Sequence, residues 1–348
     1  MSVTLPMHAG RIQPAEPRDP PLPRELYLES TNRCNERCDQ CPRTHLGREP
    51  DKDLTFAEVR AITDQLPALE RVVLHGLGEP LMNPELPRIV AHLRQRGAHV
   101  LFNTNALLLN ERRARDLMEA DLNELRVSLD GATPGTYARV RGVNEMALPH
   151  IAANLTRFTA LQRTLGAERP AVSLWFTAMR ENIAELPQLV EFADATGVRE
   201  VYVQRFIYFG KGLAQQDQAL YARSHERELD IMRTAGERCR ALGIRFRATG
   251  AATPAEYLAR GARPQEPRAW AGCHRPYALA YITAHGNVFS CCFAPFHPGR
   301  ASERLLGNVF AQPFAAIWNG DRYRAFRAAF ESDTPWDQCA GCGSKWSL

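Results

Sequence analysis

Three cysteines, Cys34, Cys38 and Cys41, stand in the spacing CxxxCxxC within TNRCNERCDQCP, directly behind a strand-like run at residues 25–31. Thiolates on one short loop can hold three irons of a [4Fe-4S] cube and leave the fourth iron without a protein ligand. An iron with an open position can take a substrate or cofactor directly, as open catalytic zinc sites do. Zinc is the other reading of the triplet, because thiolates bind both metals and His45 lies four residues beyond Cys41. Either way the loop needs a rigid strand behind it. That requirement constrains the fold more than any other feature of the chain.

At 348 residues the chain exceeds one average domain, which predicts a large catalytic domain with a small appendage. The net charge of +4 is too mild to argue for nucleic acid or a membrane surface, and neither a basic stripe nor an aromatic platform is evident. There is no 18-residue apolar run, and the first 24 residues are Pro-rich without a hydrophobic signal core. The expectation is a cytoplasmic protein. In that reducing compartment nine cysteines point to metal ligation rather than disulfides.

Strand-like runs at 25–31, 71–75, 99–103, 122–129, 171–178 and 200–206 alternate with helical periodicity at 55–66, 86–96, 111–120, 149–165 and 183–196. Asn83 and Pro84 give a helix start signal and Gly97 a stop. Alternation of this kind predicts an α/β fold with a parallel sheet, whose ligands gather at the carboxyl ends of the strands. The expected division is a Pro-rich lead-in at 1–24, a core at 25–250 closed by a long helical stretch at 216–243, a linker at 251–270 and an appendage at 271–348.

The second run leads into Gly76-Leu77-Gly78-Glu79-Pro80, and the third ends in Asn103-Thr104-Asn105-Ala106. The fourth reads Val127-Ser128-Leu129-Asp130-Gly131 and is followed by Arg139-Val140-Arg141-Gly142. Together with CxxxCxxC, these motifs over residues 25–142 resemble the radical S-adenosylmethionine (SAM) superfamily. The resemblance implies a partial (β/α)6 TIM-like barrel, with SAM chelated to the open iron through its amino and carboxylate groups. By the same resemblance the cluster ligands are Cys34, Cys38 and Cys41, and the SAM-binding residues are Gly76, Gly78, Glu79, Pro80, Thr104, Asn105, Ser128, Asp130 and Arg141. Glycines let backbone approach the SAM ammonium, the carboxylate of Glu79 matches its charge, and a guanidinium fork suits the SAM carboxylate. Two departures stand out: Ala106 where relatives place Gly, and Gln40 where many place an apolar residue beside the adenine.

A second cysteine group follows. Cys273 precedes Gly286 by twelve intervening residues, four more separate that glycine from Cys291, and Cys339-Ala-Gly-Cys342 ends the series. The arrangement resembles a truncated SPASM, or twitch, domain, which implies one auxiliary [4Fe-4S] cluster on Cys273, Cys291, Cys339 and Cys342. A structural zinc ribbon is the alternative for the same four thiolates. Cys292 is left over as a packed thiol, a substitute ligand or a hydrogen-atom donor, and Cys239 reads as a buried structural thiol. His75 is expected to be packed rather than functional. Gln204 and Arg205 point to opposite faces of their strand, so one of them can face the barrel interior; Arg205 and Cys292 are the catalytic candidates. Trp318, Tyr323, Phe326 and Phe330 are spaced as the appendage core.

The resemblance implies an electron from flavodoxin or ferredoxin, reductive cleavage of SAM to a 5′-deoxyadenosyl radical, and hydrogen abstraction from a bound substrate. An auxiliary cluster suits a product radical that must lose an electron. Only about 24 residues precede the first strand, too few for the leader-recognition domain of many peptide-modifying relatives. The reading is therefore oxidation (dehydrogenation) or epimerisation of a small metabolite such as a sugar, aminocyclitol or nucleoside. Peptide or protein maturation is the alternative, and a non-catalytic iron-sulfur carrier a remote one.

Overall fold

Alternation of apolar and polar residues along short runs puts one side of each strand under helices and leaves the other facing a concave interior. The computed structural model describes residues 19–46, 49–204, 206–220, 225–249, 268, 270–297, 299–340, 342 and 346–347. Strands β1 (Glu25–Leu28), β2 (Arg71–Val73), β3 (His99–Thr104), β4 (Glu124–Ser128), β5 (Ala171–Thr177) and β6 (Glu200–Gln204) fall on the six expected runs. They pair in parallel, in chain order. The sequence reading missed what lies on either side. Beyond β6 and the short β7 (Phe206–Ile207), β8 (Arg245–Ala248) adds a further parallel strand; its four residues alternate with arginines and give no apolar run.

On the other flank the appendage extends the same sheet. Its first strand, β9 (Leu279–Ile282), pairs in parallel with β1 over all four residues, Glu25 opposite Leu279 through Leu28 opposite Ile282. Antiparallel β10 (Asn287–Phe289) and β11 (Gly307–Asn308) follow. The result is one open ten-stranded sheet, in the order β11-β10-β9-β1-β2-β3-β4-β5-β6-β8. A two-stranded patch joins β7 to β12 (Trp346–Ser347), so the far end of the chain returns to the rim beyond β6. Of the expected linker, only Arg268 and Trp270 lie among the described residues.

The helices are α1 (Pro42–His45), α2 (Phe56–Thr63), α3 (Leu86–Gln95), α4 (Glu111–Glu119), α5 (Pro134–Arg141), α6 (Ala147–Leu165), α7 (Leu186–Thr196) and α8 (Glu226–Ala241). Helix α2 starts on a full capping box between Thr55 and Glu58, and α3 stops at Gly97 with φ +85°. Asn83 works differently from the expected cap: its amide donates to the carbonyls of Ser30 and Leu54, tying the β2–α3 connection to the cysteine loop. The long expected helix shrinks to α8, preceded by a single 3-10 turn at Gln216–Gln218. Helices and convex sheet face share one apolar core that includes Leu26, Val72, Phe102, Val127, Phe158, Phe176, Leu189 and Cys239, each at most 1% exposed. Each such side chain contributes roughly 1.5–3 kcal/mol by leaving water. Trp318, Tyr323, Phe326 and Phe330 join that core as expected. No described helix is long and apolar enough to cross a membrane.

Candidate active site

The loop carrying Cys34, Cys38 and Cys41 leaves the carboxyl end of β1 and is held from every side. The carbonyls of Thr31 and Arg33 come so close to Gly78 that a Cβ there would lie 2.1 Å and 2.7 Å from them. Gly142, at φ +63°, lies against the Arg37 carbonyl in the same way. These two glycines serve the protein's own close packing around the loop. Leu213 N–H, from beyond β6, donates to the Asp39 carbonyl (3.1 Å) and carboxylate (3.0 Å). His45 Nε2 is bonded to the Asp39 carbonyl at 2.8 Å, which fixes that ring against the cysteine loop.

Beneath the loop runs a buried charge network that the motifs only half announced. Arg141, at the end of α5, pairs through Nη1 with Glu36 (3.3 Å) and through Nη2 with Asp130 (3.1 Å), and Nη1 also reaches Cys38 Sγ at 3.5 Å. Burial works against its charge, but Asp130, Cys38 and Glu36 outweigh that and hold the guanidinium pKa above its ordinary value. Glu36 accepts the Tyr137 hydroxyl at 3.0 Å; burial pushes its pKa up, against the pull of Arg141. Asp130 also accepts Gln40 Nε2 (2.7 Å) and Thr177 N–H (2.8 Å). Gln40, polar where an apolar residue was expected, is therefore a partner of Asp130.

Glu79 is 3% exposed and receives Thr104 Oγ1 (2.6 Å), Asn105 N–H (2.7 Å) and Leu81 N–H (3.1 Å). Burial lifts its pKa to about 7 against those bonds. Glu79 thus locks the end of β3 to the end of β2, with Pro80 opening the turn after it. Ala106 adopts φ +60°, the left-handed conformation for which relatives use glycine. Asn154 holds it there through a 2.8 Å bond to its carbonyl. Ser128 closes β4 on the concave side, paired in register with Trp175.

The concave wall below carries Tyr27, Arg71, His75, Asn103, Arg126, Trp175, Tyr202 and Gln204, all half-buried. Arg126 lies 4.3 Å over Trp175, and Trp175 stacks on Tyr202 at 4.0 Å and 14°. His75 accepts Asn103 N–H at 3.0 Å; burial, then Arg126 and Arg71, lower its pKa to about 3 and keep the ring neutral. Arg205 lies outside the described residues.

Glu29 was invisible as a site residue. It is 2% exposed and accepts Leu77 N–H (2.7 Å), Ala284 N–H (3.1 Å) and the Tyr281 hydroxyl (3.4 Å), with its pKa raised by burial to about 7. It clamps core and appendage at the carboxyl end of the β1–β9 pair. A Cβ on Gly76 would lie 2.3 Å from the Tyr281 hydroxyl and 2.4 Å from Glu29 Oε1, so that glycine serves the same junction.

The second cysteine group sits at the opposite end of that pair. Cys273 enters just before β9, and Cys291 follows β10 as it runs back down. Burial raises the pKa of Cys339, and the thiols of Cys291, Cys342 and Cys273 add to it, although no three His, Cys, Asp or Glu among the described residues are grouped closely enough to hold a single metal ion. Cys292 is half-buried, its pKa lifted to about 11 by desolvation against the pull of Arg275. Arg304, 1% exposed, donates to the carbonyls of Ala294 (2.7 Å) and His297 (2.6 Å) and pairs with Asp337 (3.2 Å), stitching the Cys291 and Cys339 loops together.

Both cysteine groups show unmet polar capacity. Beside the first, Gln40 Oε1, Asn103 Oδ1 and Arg141 Nε are buried without a hydrogen-bond partner. Next to the second, Ser290 Oγ and both amide atoms of Gln338 are in the same state. Buried polar atoms are nearly always satisfied, so both places suit groups rich in acceptors and donors. The first suits a cube whose fourth iron holds an amino acid ligand, and the second a cube closed by four thiolates.

A cysteine-bearing loop at the carboxyl end of the first strand of a parallel α/β sheet, with a second cysteine group beyond the other end of that strand, is the layout of an iron-sulfur protein. The chain carries a radical SAM domain and, towards its carboxyl end, a SPASM domain. The radical SAM superfamily model matches residues 28–153, and an iron-sulfur cluster-binding domain, SPASM, matches residues 273–343. Those two domains imply SAM, a [4Fe-4S] cluster and auxiliary iron-sulfur binding. A tungsten-containing aldehyde ferredoxin oxidoreductase cofactor-modifying protein of Pyrococcus furiosus is 27% identical over 52% of this chain, and the match spans only about half (51%) of that relative. An AdoMet-dependent heme synthase of Methanosarcina barkeri is 24% identical over 88% of this chain and 85% of its own. A PqqA peptide cyclase of Gluconobacter oxydans is 25% identical over 94% and 84%. The crystal structure of Streptococcus suis SuiB bound to precursor peptide SuiA shares the fold, with TM-score 0.65 and 15% identity over 87% of this chain and 66% of that one.

Proposed function

We propose that this enzyme oxidatively modifies a peptide held on the concave face between the two cysteine groups. The observation that carries the reading is the β1–β9 pairing, which places one group at each end of the same wall. Peptide chemistry, rather than the small metabolite expected from the sequence, is supported by PqqA peptide cyclases matched over 92–94% of this chain. In this reading Cys34, Cys38 and Cys41 hold the SAM-binding cube, and Cys273, Cys291, Cys339 and Cys342 the auxiliary one. SAM bound to the open iron supplies, once that cluster is reduced, the 5′-deoxyadenosyl radical that takes a hydrogen atom from the substrate.

The protein's own side chains do the rest. Arg141 and Gln40, each with a buried polar atom lacking a partner, and Ser128 and Asn103 near the ends of β4 and β3 would hold SAM. The neutral ring of His75 and the Arg126–Trp175–Tyr202 stack shape the wall on which the substrate lies. Loss of a hydrogen atom, then of one electron and one proton, would make a two-electron oxidation overall; a cluster held by Cys273, Cys291, Cys339 and Cys342 would supply the acceptor for that electron.

The test is anaerobic turnover of reconstituted enzyme with SAM, reduced flavodoxin and synthetic copies of short peptides encoded beside the gene. Peptide-dependent release of 5′-deoxyadenosine, with a peptide product lighter by hydrogen, is expected. Release driven by a metabolite extract and indifferent to every peptide would sink the peptide reading and restore the metabolite one, which the match to the heme synthase favours.

A further inference from the structure

Three arginines lie deep around the two cysteine groups and the appendage core with conventional partners, and a fourth, Arg275, is half-buried. Arg141 meets Glu36 and Asp130, and Arg304 meets Asp337. Arg327 donates to the carbonyls of Pro276 (3.0 Å) and Trp318 (2.8 Å) and lies 4.1 Å and 4.4 Å from the ring centroids of Tyr323 and Trp318. Arg275 is different. It sits two residues after Cys273, on the short helix Arg275–Ala278 that leads into β9. Its Nη1 points at Cys292 Sγ at 3.6 Å, and its guanidinium lies 5.4 Å from the Phe293 ring. Around it stand Cys292, Tyr27, Cys291 and Cys273; among the described residues it meets no carboxylate.

Even a guanidinium only partly withdrawn from water is disfavoured unless an anion faces it. Neutral thiols do not meet that need. A cube on four thiolates carries roughly two negative charges when oxidised and one more when reduced. We propose that Arg275 is the counter-charge of the auxiliary cluster, a positioning residue that holds the cluster's reduction potential up by favouring its reduced form. This rests on the reading of Cys273, Cys291, Cys339 and Cys342 as cluster ligands. It explains why a cation without a carboxylate is kept beside them, and it gives the auxiliary group the pull on an electron that the proposed oxidation requires.

The test is EPR-monitored potentiometry of the reconstituted holoenzyme without substrate, with SAM added to mark the signal of the cluster on Cys34, Cys38 and Cys41. Arg275→Gln is expected to lower the auxiliary potential enough to change its oxidised-to-reduced ratio about tenfold at fixed ambient potential, or about 59 mV for one electron. Arg275→Lys should retain most of the wild-type value. Loss of auxiliary iron from Arg275→Gln alone, with the lysine variant intact, would also support a charge role. An unchanged potential in iron-replete Arg275→Gln overturns the proposal, as does equal loss of iron from both variants, which marks a requirement for shape. Because no peptide enters the measurement, failure of the substrate reading leaves the result untouched; wild type holding a single cube would instead remove the ligand assignment itself.

Discussion

At the scale of single residues, the motif residues make contacts within the protein that their sequence does not announce. The Gly-x-Gly-Glu segment reads from sequence as a surface for SAM, yet Gly78 is pressed against the cysteine loop and Gly76 against the Glu29–Tyr281 junction. In Gly78→Ala the new methyl meets backbone carbonyls that cannot rotate away, so overpacking of about 1–3 kcal/mol and loss of iron from the first cluster are expected. Thermal unfolding and iron assay check this; full iron with an unchanged melting temperature would show that the loop yields freely. The sequence assigned Arg141 to the carboxylate of SAM, whereas in the fold it pairs with Glu36 and Asp130; nothing in CNERC separates a buried glutamate from an exposed one. Arg141→Met leaves two carboxylates buried without a cation, a loss of about 3–5 kcal/mol by urea denaturation. A cost below about 1 kcal/mol would mean that the network contributes as little as a surface pair.

Strands and helices were readable wherever their apolar period ran long enough, as in β3 and α6. The sequence failed at β8 and at the sheet's growth through β9, because a four-residue strand takes its identity from its neighbour rather than from its own pattern. Glu29 belongs to this scale, since it joins β1 to the β2 turn and to the β9–β10 turn. An ordinary glutamate ionises near 4.5, and Glu29 in the fold near 7. Between those values the folded chain holds the proton that the unfolded chain releases, so its contribution falls by about 3 kcal/mol as pH rises. Glu29→Gln has no such slope. Its stability cost, clear at pH 5 where it lacks one acceptor, should vanish or reverse by pH 8 in denaturation compared with wild type. A cost constant across that range would show Glu29 ionised throughout.

For the molecule as a whole, the cysteine spacings foretold two metal groups on one α/β chain. They could not foretell that one sheet carries both, since pairing across some 250 residues leaves no mark in local pattern. Two cubes predict about eight irons per chain after anaerobic reconstitution, and about four when Cys34, Cys38 and Cys41 are all alanine. Four in wild type and none in the variant would leave the second group without a cluster. The shared sheet also bears on kinetics. Because β1 and β9 are hydrogen-bonded along four residues, at about 3.3 Å of rise each, the core and the appendage act as a fixed ruler. The pairing, rather than a hinge, sets the spacing between the two cysteine groups, so a substrate lying between them would stand at the same distance from each in every turnover.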